Sequence, residues 1–162
     1  MNIGIYIDSL ADTKHLDHIS NFINTSVENN QVTDVSLFYD DVGYVPFEMR
    51  CGIFNSVDMW NFAGHLITTS LSTINKAINI VNNIDLYYYH GWEQNYKVID
   101  LLMILNHNPK IICKTEHDAK DLYRITGNHP VGITNNYADI INIIRKHGNE
   151  YSTNYKNVCR AE

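Results

Sequence analysis

Short β-branched runs alternate with helix-period stretches along this chain, and that alternation constrains its fold more than any other feature. Ile3–Ile7 reads as a first strand. His15–Val27 carries Leu16, Ile19, Phe22 and Ile23 at helical spacing, entered through Asp12 or Thr13 as N-cap. Val35–Tyr39, Arg50–Phe54 and His65–Thr69 supply three more strands. Ser70 or Ser72 then caps a helix with the stripe Ile74, Ala77, Ile78 and Val81. Ile84–Tyr89, nearly free of polar residues after Asp85, reads as an interior strand. A helix over Tyr96–Leu105 places Val98, Leu101, Leu102 and Leu105 on one side. After Pro109 comes the strand Lys110–Lys114. Thr115 with an acid three residues on resembles a capping box and begins a helix ending at Gly127. A short strand Val131–Thr134 precedes a last helix, Tyr137–His147, built on Ile140, Ile141 and Ile144. Strands separated by such helices require right-handed crossovers. The expected fold is a doubly wound, mostly parallel, Rossmann-like α/β sheet. It forms a single three-layer domain over residues 1–148, followed by a polar, frayed tail over 149–162.

Composition bounds the function. At 162 residues the chain has room for one domain, and its net charge of −6 argues against a broad electrostatic grip on nucleic acid or anionic lipid. Cys51, Cys113 and Cys159 are too dispersed for a disulfide framework or zinc knuckle, which points to a reducing compartment. No apolar run has the length of a membrane span, and the amino terminus lacks a signal-peptide pattern, so a cytoplasmic protein is expected. The weight of Asn, Ile and Tyr suggests an A/T-rich, viral or phage genome, and with it the host cytoplasm.

Ligands of doubly wound sheets bind at the carboxyl ends of the strands, near the switch in strand order, so the residues there are the candidates. The loop after the first strand, with Asp8, Ser9 and Asp12, has neither GxGxxG nor GxxxxGK[ST], which argues against a nicotinamide dehydrogenase or a P-loop NTPase. Asp8, Asp40, Asp41 and Asp58 could together bind Mg²⁺ as in a metal-dependent nuclease, although acids after strands are also ordinary turn formers and caps. In Ser56–Gly64, Trp60 could stack on a sugar or base ring while Asp58 and Asn61 bond its hydroxyls; the alternative is a loop anchored by burying Trp60 and Phe62. His90 and Glu93 offer an acid/base pair beside Trp92, which could equally pack on a neighbouring helix. Lys114, Thr115, Glu116 and His117 could hold a phosphate at a helix start, or simply cap that helix. No metal site is expected from the histidines.

The pieces Asp85–His90, Ile111–Lys120 and Pro130–Asn136 resemble the last third of the N-terminal Rossmann-like domain of GT-B glycosyltransferases. There, a strand ending in a histidine-bearing loop precedes a helix. A strand ending in a Ser/Thr-Glu helix start follows, then a short strand finishing in an Asn-containing turn, here Asn135. The resemblance implies a domain that binds a sugar or nucleotide-sugar at the strand carboxyl edge. In that reading Glu93, His90 or Asp8 serves as base, and Trp60, Trp92 and the Thr115–His117 helix start form the site. Such enzymes face two domains together, so this chain would need a second domain-like protein or a homodimer partner to be active. The alternative is a non-catalytic protein- or ligand-binding module on the same scaffold, such as a viral interaction factor.

Overall fold

Period-2 apolar runs become seven strands and the helix-period stretches become five helices in the computed structural model, which describes residues 1–46, 48–80, 82–92 and 96–158, with side chains through residue 147. The strands are β1 (Asn2–Ser9), β2 (Asp34–Asp41), β3 (Gly52–Asn55), β4 (Gly64–Thr68), β5 (Ile84–His90), β6 (Lys110–Cys113) and β7 (Gly132–Ile133). They form one sheet in the order β3-β2-β1-β4-β5-β6-β7, every pair parallel. The switch in strand order therefore lies between β1 and β4. The expected Rossmann-like, three-layer α/β fold is the observed one. Among the described residues, no helix is long and apolar enough to cross a membrane.

Strand alternation sorts the two faces. Ile3, Ile5, Ile7, Leu37, Ile67, Tyr87, Tyr89 and Ile112 bury against α1 (Thr13–Glu28) and α5 (Tyr137–Val158) on the first face. Tyr88, Ile111 and Cys113 bury against α2 (Leu71–Ala77), α3 (Val98–Leu105) and α4 (Glu116–Thr126) on the second. Helix starts follow local chemistry. The Asp12 side chain caps α1 through the His15 amide, Ser70 and Thr73 form a reciprocal box at α2, and Thr115 and Asp118 form another at α4. Gly127 ends α4 in the left-handed conformation.

Three details differ from the sequence reading. In α3 it is Leu101 and Ile104 that point inward, whereas Val98 and Leu102 are solvent-facing. Helix α5 continues through Val158 instead of ending at His147, since no proline interrupts it and Gly148 costs a helix only about 1 kcal/mol. Val81 lies outside the described residues. The connections around β3 carry almost no helix. Residues 42–46 and 48–50 form neither helix nor strand, and the segment is tied to α1 where the Asn24 side-chain amide donates to the Glu48 carbonyl and its oxygen accepts from the Arg50 amide. A six-residue 3-10 helix, Ser56–Asn61, returns the chain across the second face.

At the amino edge of β4–β6, Asp85 accepts hydrogen bonds from Lys110 Nζ (2.6 and 2.8 Å) and the Tyr87 hydroxyl (3.0 Å), with His65 Nδ1 at 3.1 Å. Partial burial works to raise the Asp85 carboxyl, but the bonds from His65 and Lys110 outweigh it and hold the group at about 2. An unfolded aspartate titrates near 3.9, so this contribution is complete above about pH 4 and is lost as the pH falls towards 2. Asp85→Asn should cost about 1–2 kcal/mol at neutral pH, a figure kept small because solvent screens the carboxylate. Urea titrations should show that deficit shrinking between about pH 4 and pH 2. A pH-independent deficit would show that the network is not electrostatic in origin.

Candidate functional site

The register of β1, β2 and β3 builds a concavity on the second face. Gly4 pairs with Ser36 and Ser36 with Gly52, so a row of small residues crosses three strands on the second face. One step towards the carboxyl edge, Tyr6, Phe38 and Phe54 form a parallel row of rings. One step towards the amino edge, Asn2 stands beside Asp34. The small row is a trough because its neighbours on both sides are larger.

Aromatic side chains fold into the space the glycines leave. A Cβ on Gly4 would meet Phe62 Cζ at 2.9 Å and Leu66 Cδ1 at 2.8 Å, and one on Gly52 would meet the Phe54 ring at 2.3 Å. The Phe62 ring therefore lies over β1 and the Phe54 ring over β3, with Phe38 between them. Ring centroids are 5.5 Å apart for Phe38–Phe62, edge to face, and 5.9 Å for Phe38–Phe54. The 3-10 helix forms the remaining wall. Its Asn55 side chain caps it by accepting from the Val57 amide, and the Asn82 side-chain amide holds its far end by donating to the carbonyls of Trp60 and Phe62. The result is a cavity of about 620 Å³ with Phe38, Phe54 and Phe62 as its apolar lining and Asn2, Asp34, Ser36, Asp58 and Asn61 as its polar groups. Phe54 is 41% exposed, so part of its side chain is open to solvent beside the cavity.

The structure thus brings Asp58 and Asn61 into one cavity, as the sugar-binding expectation required, but not at the carboxyl edge. Asn2 and Asp34 begin their strands, so the trough occupies the amino half of the sheet. Trp60 is 58% exposed beside this cavity and does not line it. Trp92 belongs to the opposite face. The proposed grouping of Trp60 with Trp92 and the α4 start is therefore corrected, because the 3-10 helix descends away from the carboxyl ends.

At the carboxyl edge the nominated residues are mostly engaged with one another. Trp92 stacks on His15 at 4.3 Å between centroids, packs beside Tyr137, and carries the Lys114 ammonium 3.7 Å from its ring centre. This is the packing alternative for Trp92. His90 is buried, with Nδ1 3.2 Å from the Tyr88 hydroxyl and the Tyr96 ring edge-on at 5.1 Å; burial lowers its pKa. Glu93, its intended partner, lies outside the described residues. Thr115 Oγ1 accepts from the Asp118 amide at 3.1 Å and donates to Asp118 Oδ2 at 2.7 Å, so the α4 start is capped by its own side chains. Glu116 faces a separate groove beside Tyr123 and His129, His117 is exposed with Asp121 at 3.3 Å, and Asn135 is exposed in the turn after β7. Asp8 is half-buried at the end of β1.

The acidic set is dispersed. Asp40 accepts from Lys76 Nζ and from the Tyr6 hydroxyl, each at 2.7 Å. Partial burial opposes these bonds, yet they lower its pKa. Asp58 sits in the trough, and among the described residues no three His, Cys, Asp or Glu side chains gather as a metal-binding group. The grouping of Asp8, Asp40, Asp41 and Asp58 is not formed.

Sequence reasoning missed Gly4, Ser36, Gly52, Phe38 and Phe54 as site residues, because their meeting depends on strand register. A small residue at the same alternation phase in each of the three strands was the available signal. Comparison with protein-family models, with curated proteins and with solved structures finds no match.

Two stability measurements probe these packings. Gly4→Ala should displace Phe62 and destabilise the fold by about 1–3 kcal/mol in urea, and an unchanged midpoint would show that the ring is not seated there. His15, bonded through Nε2 to the Tyr137 hydroxyl at 2.6 Å, is pushed by burial down to about 4 against the pull of Asp12. The unfolded chain therefore takes up a proton near pH 6.5 that the folded one refuses until about 4, and stability falls by up to about 3 kcal/mol as the pH drops through that window. His15→Gln should flatten this limb of the stability–pH curve relative to the parent protein.

Proposed function

We propose that this chain is a glycosyltransferase-like α/β domain that works as a saccharide-binding module, with the trough over β1–β3 as its sugar site. The observation that carries the reading is the juxtaposition of a partly exposed aromatic side chain, Phe54, with carboxylate, amide and hydroxyl groups lining the same cavity. A pyranose has one apolar face and a rim of hydroxyls. The first suits the phenyl rings, and the second suits Asp34, Asp58, Asn61 and Ser36, which between them accept and donate. A volume of about 620 Å³ suits one or two sugar rings.

The burial of His90 and the capped helix starts support binding over transfer. His90 is buried against Tyr88 and Tyr96, and the carboxyl-edge helix starts of α1, α2 and α4 are closed by their own caps. A transferase in which a second protein completes the carboxyl edge remains the companion reading, with Asp8 at its centre. A nuclease loses its support, since Asp40 is neutralised by Lys76.

The test is calorimetric titration of the full chain against a panel of oligosaccharides, alone and with nucleotide-sugars. A binding saccharide at about 100 times its dissociation constant should stabilise the fold by roughly 2.7 kcal/mol. Phe54→Ala and Asn61→Ala should each weaken it by about tenfold with the melting temperature nearly unchanged, while Trp92→Phe leaves affinity alone. Binding lost in Trp92→Phe but retained in Phe54→Ala would move the site to the carboxyl edge, and a panel without binding would reject the reading.

A further inference from the structure

The two lateral edges of the sheet are built differently. At one end, β7 is two residues long and begins two residues after Pro130, so little backbone is open to pairing there. At the other end, β3 is four residues long and among the described residues pairs with β2 alone. Its outer side therefore presents backbone N–H and C=O groups with no strand to receive them. Sheets ordinarily guard such an edge with a charge, a proline or a bulge. Here residues 51–57 carry neither charge nor proline, and the four pairs with β2 run in unbroken register. Apolar side chains border the edge on both faces. Ile53 is 39% exposed on the first face and Phe54 41% on the second, while Val57 and Trp60, in the 3-10 helix that follows directly, are more exposed still.

We infer that β3 is a self-association edge, on which a second copy of this chain lays its own β3 antiparallel across a two-fold axis. The charges flanking the strand favour that occupant and that direction. Arg50 stands at one end of the uncharged run and Asp58 at the other. Antiparallel strands bring each copy's Arg50 to the end where the other's Asp58 stands, whereas parallel strands would set like charge beside like. Arg50 already meets Glu28 at 3.0 Å, but both side chains are exposed, and a pair of that kind is too weak to withhold the guanidinium from a second acid. Copies of a chain with net charge −6 repel one another, and an uncharged edge keeps that cost low. The two-fold axis also closes the assembly, because β7 is too short to receive β3 and continue a head-to-tail filament. That axis is normal to the sheet, so the two second faces point the same way. The interface is lateral, apart from the carboxyl edge at which two glycosyltransferase-like domains would face each other. With four strand residues a side, it belongs to the weak class below about 1,200 Å², with an expected dissociation constant of about 10–100 µM.

The experiment is sedimentation velocity on the full chain from about 2 to about 500 µM, a range that brackets this constant. The parent chain should pass from monomer to dimer. Ile53→Lys and, separately, Val57→Lys should each raise the dissociation constant at least about tenfold with the melting temperature nearly unchanged. Ile133→Lys on β7 and Met103→Lys on the exposed side of α3 should leave association as it is. Charge exchange reads the direction of pairing. Arg50→Asp and Asp58→Arg should each weaken self-association at least about threefold, and an equimolar mixture of the two variants should restore it, since each then meets the opposite sign. Hydrogen exchange of the Gly52–Asn55 amides should slow at the higher concentrations. A monomer throughout, a dimer that survives both lysine substitutions at the β3 edge, or one that only Met103→Lys disrupts would overturn the inference. A dimer broken by Ile53→Lys but not restored in the charge-exchanged mixture would overturn the antiparallel arrangement.

Discussion

The chain's return from β3 to β4 through a six-residue 3-10 helix determines what is open in this molecule. Beyond the switch in strand order, each crossover between β4 and β7 lays an α-helix on the second face, and Tyr88, Ile111 and Cys113 are buried under them. Across β1–β3 the 3-10 helix contributes one buried apolar side chain, Met59, and α2 reaches over only with its end, where Ala77 joins Tyr6 and Phe38. Something else must keep water from the sheet there. Phe38 and Phe62 do so by packing edge to face, and Gly4 supplies the space on β1 into which the Phe62 ring fits. At about 25 cal/mol per Å² of apolar surface removed from water, rings seated this way offset much of the missing helix. They cannot close the trough between the rows.

The carboxyl edge behaves in the opposite way. A doubly wound sheet ordinarily offers helix amino termini to an anion there. In this chain, Asp12 places a carboxylate at the start of α1, Thr73 returns to Ser70 at α2, and Asp118 returns to Thr115 at α4. Asp12 and Asp118 stabilise their helices through capping and the dipole, Ser70 and Thr73 do so by capping alone, and all three engage amides that a phosphate would otherwise meet. Thr69 adds to the closure at the switch point, its hydroxyl donating to the Tyr6 carbonyl at 3.3 Å. Local stability and anion binding compete for the same amide groups, and in these three helices stability has them.

What the sequence made legible follows from the range of the interactions involved. Strand existence, the Thr115 N-cap and the stop at Gly127 are set by neighbours within four residues and appear as read, while of the paired alternatives Asp12 caps in place of Thr13 and Ser70 in place of Ser72. The Ser56–Asn61 segment was too short and polar-flanked for a main helix, and it forms a 3-10 turn. Alternation tells which face a residue takes but not which row it joins, so nothing local announces that Gly4, Ser36 and Gly52 align. The two tryptophans make the same point. Trp92 is held by His15 and Tyr137, residues distant from it in sequence, whereas Trp60 finds no comparable ring partner among the described residues. Their fates depend on tertiary neighbours that a single sequence does not display.

A site on a sheet face has consequences that one on the strand ends lacks. In the two-domain arrangement implied by the glycosyltransferase resemblance, a partner faces the carboxyl edge, where Asp8, Trp92 and Lys114 stand. The trough is built from the amino half of β1 and β2 and from the wall of the 3-10 helix, so occupying it does not require that partner. Its polar groups come from strand starts and a capped turn, and its rings are fixed by close approach to glycine; little need be ordered when a ligand arrives. A concavity whose shape exists before anything binds spares the ordering cost that association otherwise carries. The same open face that leaves the sheet without a full covering helix therefore holds a concavity that no partner domain need complete.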